Sequence, residues 1–403
     1  MERFVLVHYA EIGLKGGNRR RFTERLRDRL RQAVESAGVD ATAGIHGSRL
    51  IVRPREEGTA ERALLAVLKV PGVANAALAL RVAPNLDAIG AAAIEALAEA
   101  PAGSFKLETR RADKSFPLDS IAICRAVGAT CVEASGRLVD VHNPDVTVRI
   151  HVTKEFAFVS AHTYQGPGGL PVGSTTRLLS LLSGGLDSPV AAWKMMRRGA
   201  LVTGVHFHNR SLQGAAVIEK IEDLCGVLAW TMGKMPLRIV PFESCQRAIV
   251  GTVPAAYRMI VYRRAMFRIA ARIARIERAL GYITGDSLGQ VASQTAENLC
   301  TIHGVADLPV YAPLMGSDKV EIMHRARQIG TYDVSIRPHD DCCSFLVAKH
   351  PVVKSTDAEV RELEAGLDWD ALAEEAVEKM ERRMILPDPA ALGSLPRVQG
   401  PRT

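Results

Sequence analysis

Two short runs in this 403-residue chain hold residue types that could do chemistry. The first is Ser183-Gly184-Gly185-Leu186-Asp187-Ser188, set between an apolar stretch, Leu178 to Leu182, and a helical one, Pro189 to Arg198. A glycine-rich turn ahead of a helix N-terminus points backbone N–H groups at an anion and lets the anion's oxygens approach the backbone. Ser183 and Ser188 add hydroxyl donors. The G-K-[ST] that brings a lysine to the β- and γ-phosphates in Walker-type loops is absent. Such a loop suits pyrophosphate leaving as ATP transfers its adenylyl part, with Asp187 placing a magnesium ion on the leaving group. A glycine-rich turn of an ordinary α/β protein is the bland alternative, and S-G-G-x-D-S in a strand–turn–helix context disfavours it.

The second run is Asp340-Asp341-Cys342-Cys343, followed by Ser344. A cysteine can carry a persulfide, whereas a buried pair would act only as small hydrophobes. Acids before it and a serine after it make this run loop-like, which favours function. Because neighbouring acids do not lower a thiol pKa, a basic group from elsewhere is expected beside it. The seven cysteines, at 124, 131, 225, 245, 300, 342 and 343, contain no C-x-x-C. This spacing suits a reducing compartment and offers neither a disulfide framework nor a zinc site, so no metal ligand is assigned.

The elements that position these runs follow from periodicity. Strand Leu178–Leu182, turn, helix Pro189–Arg198, Gly199 and strand Leu201–Phe207 make a right-handed βαβ unit of a doubly wound parallel sheet. Leu237–Pro241 and Gly281–Thr284 read as further strands, separated by a long helix, Tyr257–Leu280. That helix carries Arg258 and Arg263, then Arg264, Arg268, Arg272 and Arg275 on one stripe. The stripe could track RNA phosphates, add counterion-release affinity or face water. Tyr257 and Tyr262 are either base-stacking or packing residues. His206 and His208 form an H-x-H at a strand end, either a satisfied histidine with its neighbour or two ligands lacking a third.

The front of the chain differs. After a strand at Phe4–His8, Phe22, Leu26, Leu30, Ala33, Val34 and Ala37 mark one buried helix face, while Arg19, Arg20, Arg21, Arg25, Arg27, Arg29 and Arg31 crowd the rest. Those arginines are a solvated face or a nucleic-acid contact. Helices at Ala60–Leu68, Leu86–Ala98 and Ser120–Glu133 alternate with strands at Phe105–Arg110 and Val146–Val152, an α+β pattern. Gly, Pro and Ser dominate residues 166–176, which read as a linker. From Asp357 a charged helical pattern gives way to a Pro/Gly-rich end. Hydrophobic residues at 47% and charged residues at 24% fit a folded globular chain, and a net charge of +7 favours an anionic partner. The N-terminus does not read as a signal peptide, and no apolar run approaches about 18 residues, so a cytoplasmic protein is expected.

Beyond these patterns, the chain resembles the ThiI family of tRNA 4-thiouridine synthases over residues 3–351. The motifs run in family order: Glu11-Ile12-Gly13-Leu14-Lys15-Gly16, Glu108 to Pro117, the ATP-pyrophosphatase-like loop Ser183–Ser188, Val205-His206-Phe207-His208, Thr284 to Gln294, Gly330-Thr331-Tyr332-Asp333, Ser335 to Pro338 and Asp340 to Cys343. The resemblance implies a ferredoxin-like domain over 1–59, a THUMP domain over 60–165, and a PP-loop catalytic domain with a helical tail over 177–403. It also implies nucleotide contacts at Leu181, Leu182, Ser183, Gly184, Gly185, Asp187, Ser188, His206, Phe207, Arg263, Gly285 and Gln294. Cys343 would carry the persulfide, with Cys342 second. The implied reaction adenylates a uridine of tRNA, expected at position 8, with magnesium and ATP, then replaces its oxygen with sulfur. Some relatives add a C-terminal rhodanese domain with its own cysteine; no cysteine follows Cys343 here, so a separate cysteine desulfurase is the expected donor. A thiamine-pathway sulfur-carrier protein is a further implied acceptor. An amide-forming PP-loop ligase and a noncatalytic tRNA-binding module are the alternatives.

Overall fold

The computed structural model describes residues 1–46, 49–112, 114–338 and 348–395. The chain forms two compact units, Met1–Gly169 together with the chain end at Leu392, and Leu170–Ala391. The predicted linker is tied down at both ends: Gly166 and Gly168 donate to Ala74 and Val73, while Leu170 and Gly173 donate to Arg197 and Gly199. Its glycines serve close backbone approach rather than looseness, since a Cβ on Gly166 would meet the Val73 carbonyl oxygen at 2.4 Å.

In the first unit, eight strands build one sheet: β1 (Glu2–His8), β2 (Ala41–His46), β3 (Arg49–Pro54), β4 (Asn75–Val82), β5 (Phe105–Arg111), β6 (Val146–Val152), β7 (Ala157–Ser160) and β8 (Tyr164–Gln165). Their order is β2-β3-β1-β4-β7-β6-β5, with β8 on β4; only β5 and β6 run parallel. The sheet runs unbroken from the ferredoxin-like part into the rest, because β4 pairs with both β1 and β7. Against it pack α1 (Arg19–Ser36), α2 (Ala60–Val67), α3 (Leu86–Ala98) and α4 (Ser120–Ser135). Leu26, Leu30, Ala33, Val34 and Ala37 of the predicted face are buried. On the other side Arg21, Arg25 and Arg31 are exposed and carry no ion pair among the described residues.

The second unit is a three-layer α/β fold. Its sheet contains β9 (Arg177–Leu181), β10 (Leu201–His208), β11 (Met235–Pro241), β12 (Tyr282–Ile283), β13 (Val310–Tyr311) and β14 (Glu381–Ile385), ordered β13-β12-β9-β10-β11-β14. All neighbours are parallel except β11 and β14. Adjacent residues of β9 serve opposite faces, as strand geometry requires. Leu178 joins a core with α5 (Asp187–Arg197), α6 (Ala215–Met232) and α10 (Lys319–Ile329). Leu179 joins another with α7 (Glu243–Thr252), α8 (Arg258–Glu277) and α13 (Trp369–Glu378). The remaining described α-helices of this unit are α9 (Ala296–His303), α11 (Tyr332–Ser335) and α12 (Asp357–Glu364). From β9 the chain winds outward through β10 and β11, then returns along α8 to place β12 on the other flank of β9. That reversal opens a crevice at the carboxyl ends of β9 and β12.

The arginine stripe of α8 is tied to acids of the same unit, and only its far end, Arg275, is exposed. Arg264 is wholly buried and donates to both carboxylate oxygens of Glu364, to Asp357 and to the Thr301 carbonyl. Arg268 shares Glu364 and stacks on Trp369 at 4.3 Å, Arg272 pairs with Asp370 and Arg275 with Asp307. The sequence pattern could not anticipate this, because the acids that meet Arg264, Arg268 and Arg272 lie roughly a hundred residues downstream. Tyr262 is buried in the core and Tyr257 packs against it, so both are packing residues. Arg264→Met strips the buried Glu364 of one of its two arginine partners and Asp357 of its buried one, and the expected loss is about 3–5 kcal/mol of unfolding free energy, read by urea denaturation. A loss below about 1 kcal/mol would place the network among weak surface pairs.

Candidate functional site

Ser183 to Ser188 turn directly from β9 into α5 and are closed by one side chain. The Ser188 hydroxyl accepts from the Ser183 N–H at 3.0 Å and donates to the Ser183 carbonyl at 3.1 Å. Gly185 N–H reaches the Ser183 hydroxyl at 3.4 Å. These bonds hold the turn in shape ahead of the helix N-terminus, where unpaired N–H groups favour an anion.

Across the crevice, Thr284-Gly285-Asp286 leaves β12. A Cβ on Gly285 would stand 2.8 Å from the Ser188 nitrogen and 3.0 Å from the Asp187 carbonyl carbon, so only glycine lets the segment after β12 come this close to the start of α5. Between them lies a cavity of about 310 Å³ lined by Leu181, Leu182, Ser183, Gly184, Asp187, Ser188, His206, Phe207, Arg263, Gly285 and Gln294, along with Met259, Met266, Val217, Gln213 and Thr284. The structure thus brings these eleven sequence-predicted residues to one cavity, while Gly185 shapes the loop behind it. One end is polar, at the loop; the methionines and Val217 make another part apolar, the mixed lining common to small-molecule sites.

The charged groups are paired in a definite way. Arg263 Nη2 donates to both oxygens of Asp286 at 2.8 Å, and its Nη1 donates to the Ser293 carbonyl at 3.3 Å. Burial alone would raise the Asp286 carboxyl; the Arg263 guanidinium, with the hydrogen bond from His303, instead holds it well below the usual carboxylate range. His206 donates its Nδ1–H to the Leu182 carbonyl at 2.9 Å, which fixes its tautomer and gives the strand-end histidine a structural partner.

Sequence reasoning did not find Lys319. It begins α10 and donates to Asp187 Oδ1 at 2.7 Å, while Gln290 donates to Oδ2 at 3.0 Å. The loop has no lysine of its own, but the fold brings one from 132 residues away. No local pattern marks it.

Cys342 and Cys343 lie outside the described residues. The chain on either side is anchored: Lys220 Nζ donates to the carbonyls of Ser335 and Arg337, and the wholly buried Asn298 bonds Ala292, Val352 and Ser355. Of the other cysteines, burial pushes Cys131 up to about 11 and Cys245 up to about 12, and it also raises Cys225. Such thiols stay protonated near neutral pH and make poor nucleophiles.

A family model described as "Thiamine biosynthesis protein (ThiI)" matches residues 173–369; a THUMP domain model matches 83–162 and a ThiI ferredoxin-like domain model matches 4–77. The chain is 42% identical over 94% of its length to a "Probable tRNA sulfurtransferase" of Thermus thermophilus, covering 94% of that protein. Over 95% of its length it is 40% identical to another of that name from Moorella thermoacetica, of which 98% is covered. A solved structure, described as a 4-thiouridine synthetase–RNA complex with bound ATP, superposes with a TM-score of 0.87 at 34% identity. That match spans 96% of this chain and all of the other.

Gly285→Ala forces the end of β12 away from the loop. Pyrophosphate binding, followed by calorimetry, is expected to weaken at least about tenfold with the fold intact. Unchanged affinity would show that anion binding does not need this close approach.

Proposed function

The chain belongs to the ThiI family of tRNA sulfurtransferases, and from this we propose that it adenylates a uridine of tRNA, at position 8, and replaces O4 with sulfur to leave 4-thiouridine. The observation that carries the reading is the crevice between β9 and β12, where an anion-binding loop and an apolar-lined cavity adjoin. ATP as substrate fits it: the loop N–H groups and Lys319 suit the polyphosphate, and the strand-end residues suit the nucleoside. Magnesium fits Asp187, a single carboxylate beside the loop, since this ion is usually held by one or two carboxylates plus substrate phosphates; bound there it would offset charge on departing pyrophosphate.

The residues then divide the work. Ser183, Gly184 and Ser188 hold the leaving pyrophosphate while uridine O4 attacks the α-phosphate. Lys319 adds a charge-assisted donor to that leaving group. The terminal sulfur of a persulfide on Cys343 attacks C4, and AMP departs with the former O4. Cys342 then attacks Cys343 Sγ, releasing the thiolated base and leaving a disulfide that an external thiol reduces. A cysteine desulfurase is the donor class that recharges the thiol.

Tight binding of a folded RNA belongs to the front unit in this reading. The exposed arginines of α1 suit phosphates, as do Arg49, Arg110 and Arg149 around the His8–His151 pair, whose pKa values burial and these arginines lower to about 4 and about 3. No described helix is long and apolar enough to cross a membrane, and a tRNA substrate with reduced thiols suits the cytoplasm. The family model's thiamine description supports a sulfur-carrier protein as a second acceptor.

Unmodified tRNA incubated with the protein, magnesium-ATP, a cysteine desulfurase and cysteine should yield 4-thiouridine by nucleoside mass spectrometry. Cys343→Ser and Asp187→Ala should abolish the product. Failure of the wild type to make it, with tRNA bound, would sink the reading for this set of partners. Lys319→Met should lower the rate about a hundredfold or more at unchanged melting temperature; a fall of less than about threefold would remove the lysine from the chemistry.

A further inference from the structure

Asp286 is 3% exposed and follows β12 into the cavity wall, where its carboxylate meets three side chains. Arg263 bonds both oxygens, Gln294 Nε2 donates to Oδ1 at 3.3 Å, and His303 Nε2 lies 3.4 Å from Oδ2. An ionised carboxylate only accepts hydrogen bonds, so the part of the Gln294 amide turned to it must be the NH₂. The carbonyl end is thereby turned away. Oε1 of Gln294 is buried without a hydrogen-bond partner among the described residues, and Gln294 lines the cavity. A buried acceptor left unpaired is costly, and a ligand donor removes that cost. Arg263 and Gln294, the nucleotide contacts of the reading above, thus share one organiser.

We infer that Asp286 is a positioning residue for nucleotide selection, which fixes the Gln294 amide so that Oε1 faces the cavity as an acceptor for a neutral hydrogen-bond donor on the nucleotide. A ribose hydroxyl and the adenine amino group share that chemistry. The inference rests on the ATP reading above and adds to it the identity of the group that sets selectivity.

The test is calorimetric binding of ATP, 2′-deoxy-ATP, 3′-deoxy-ATP and inosine triphosphate to the full chain, without tRNA or sulfur donor. One analogue, the one lacking the recognised donor, is expected to bind about tenfold more weakly than ATP. In Asp286→Asn that ratio should collapse to within about twofold, because the amide is no longer held one way round. Gln294→Met removes the acceptor, leaves Asp286 in place and should give the same collapse, so it carries the test if Asp286→Asn melts early. A general loosening of the fold would weaken all four nucleotides together and leave the ratio intact, which would overturn the inference. Equal binding of all four by the wild type would also overturn it. Binding of none would overturn the ATP reading itself, and is told apart by its appearing in every arm.

Discussion

A side chain on Gly285 would collide with the backbone of Asp187 and Ser188, so the segment leaving β12 can lie against the start of α5 only where that side chain is missing. Much of the site follows from that meeting. The strand order reverses between β9 and β12, which opens the crevice; the loop fills one side and Thr284 to Asp286 the other. Arg263 reaches the crevice because α8 is the crossover that brings the chain back to β12. Lys319 reaches it because α10 packs on α5, whose first residue is Asp187. The adenylyl transfer proposed for this crevice needs few specialised groups, since most of what such a reaction requires is position and a preorganised set of donors.

The arginines of the second unit show how one residue type is put to two uses by burial. Arg263 and Arg264 are neighbours on α8 and point to different partners. Arg263 meets Asp286 at the cavity, whereas Arg264 meets Glu364 and Asp357 and fastens α12 to α8. Buried ion pairs of this kind contribute little net stability over apolar packing, yet removing one partner is expensive. They fix where helices lie. A net charge of +7 therefore overstates what α8 offers an anion, while the exposed arginines of α1 remain on the surface of the first unit.

Local patterns carried much of the fold. The βαβ start of the second unit, the crossover helix and the apolar face of α1 are visible because a period of 2 or 3.6 and a glycine or proline at each end leave few alternatives. The loop was legible for the same reason: its spacing and its place between strand and helix are both local. Lys319, Asp286 and the fate of Arg264 were not, because each gains its meaning from a partner brought by tertiary folding, 132 residues away for Lys319 and 100 for Arg264 with Glu364. Residues 166 to 176 read as a linker from composition, and the two compact units divide among them, at Gly169 and Leu170; composition did not show that the backbone there is also held by close hydrogen-bonded contacts.

The central claim is that O4 of the target uridine becomes bonded to the α-phosphorus of ATP before sulfur arrives. Oxygen-18 placed at O4 of that uridine tests it directly, with the AMP released during sulfur transfer analysed by mass spectrometry. The account predicts one labelled oxygen in AMP for each 4-thiouridine formed. Unlabelled AMP beside thiolated tRNA, with the label lost to water or carried on another phosphate, would contradict it.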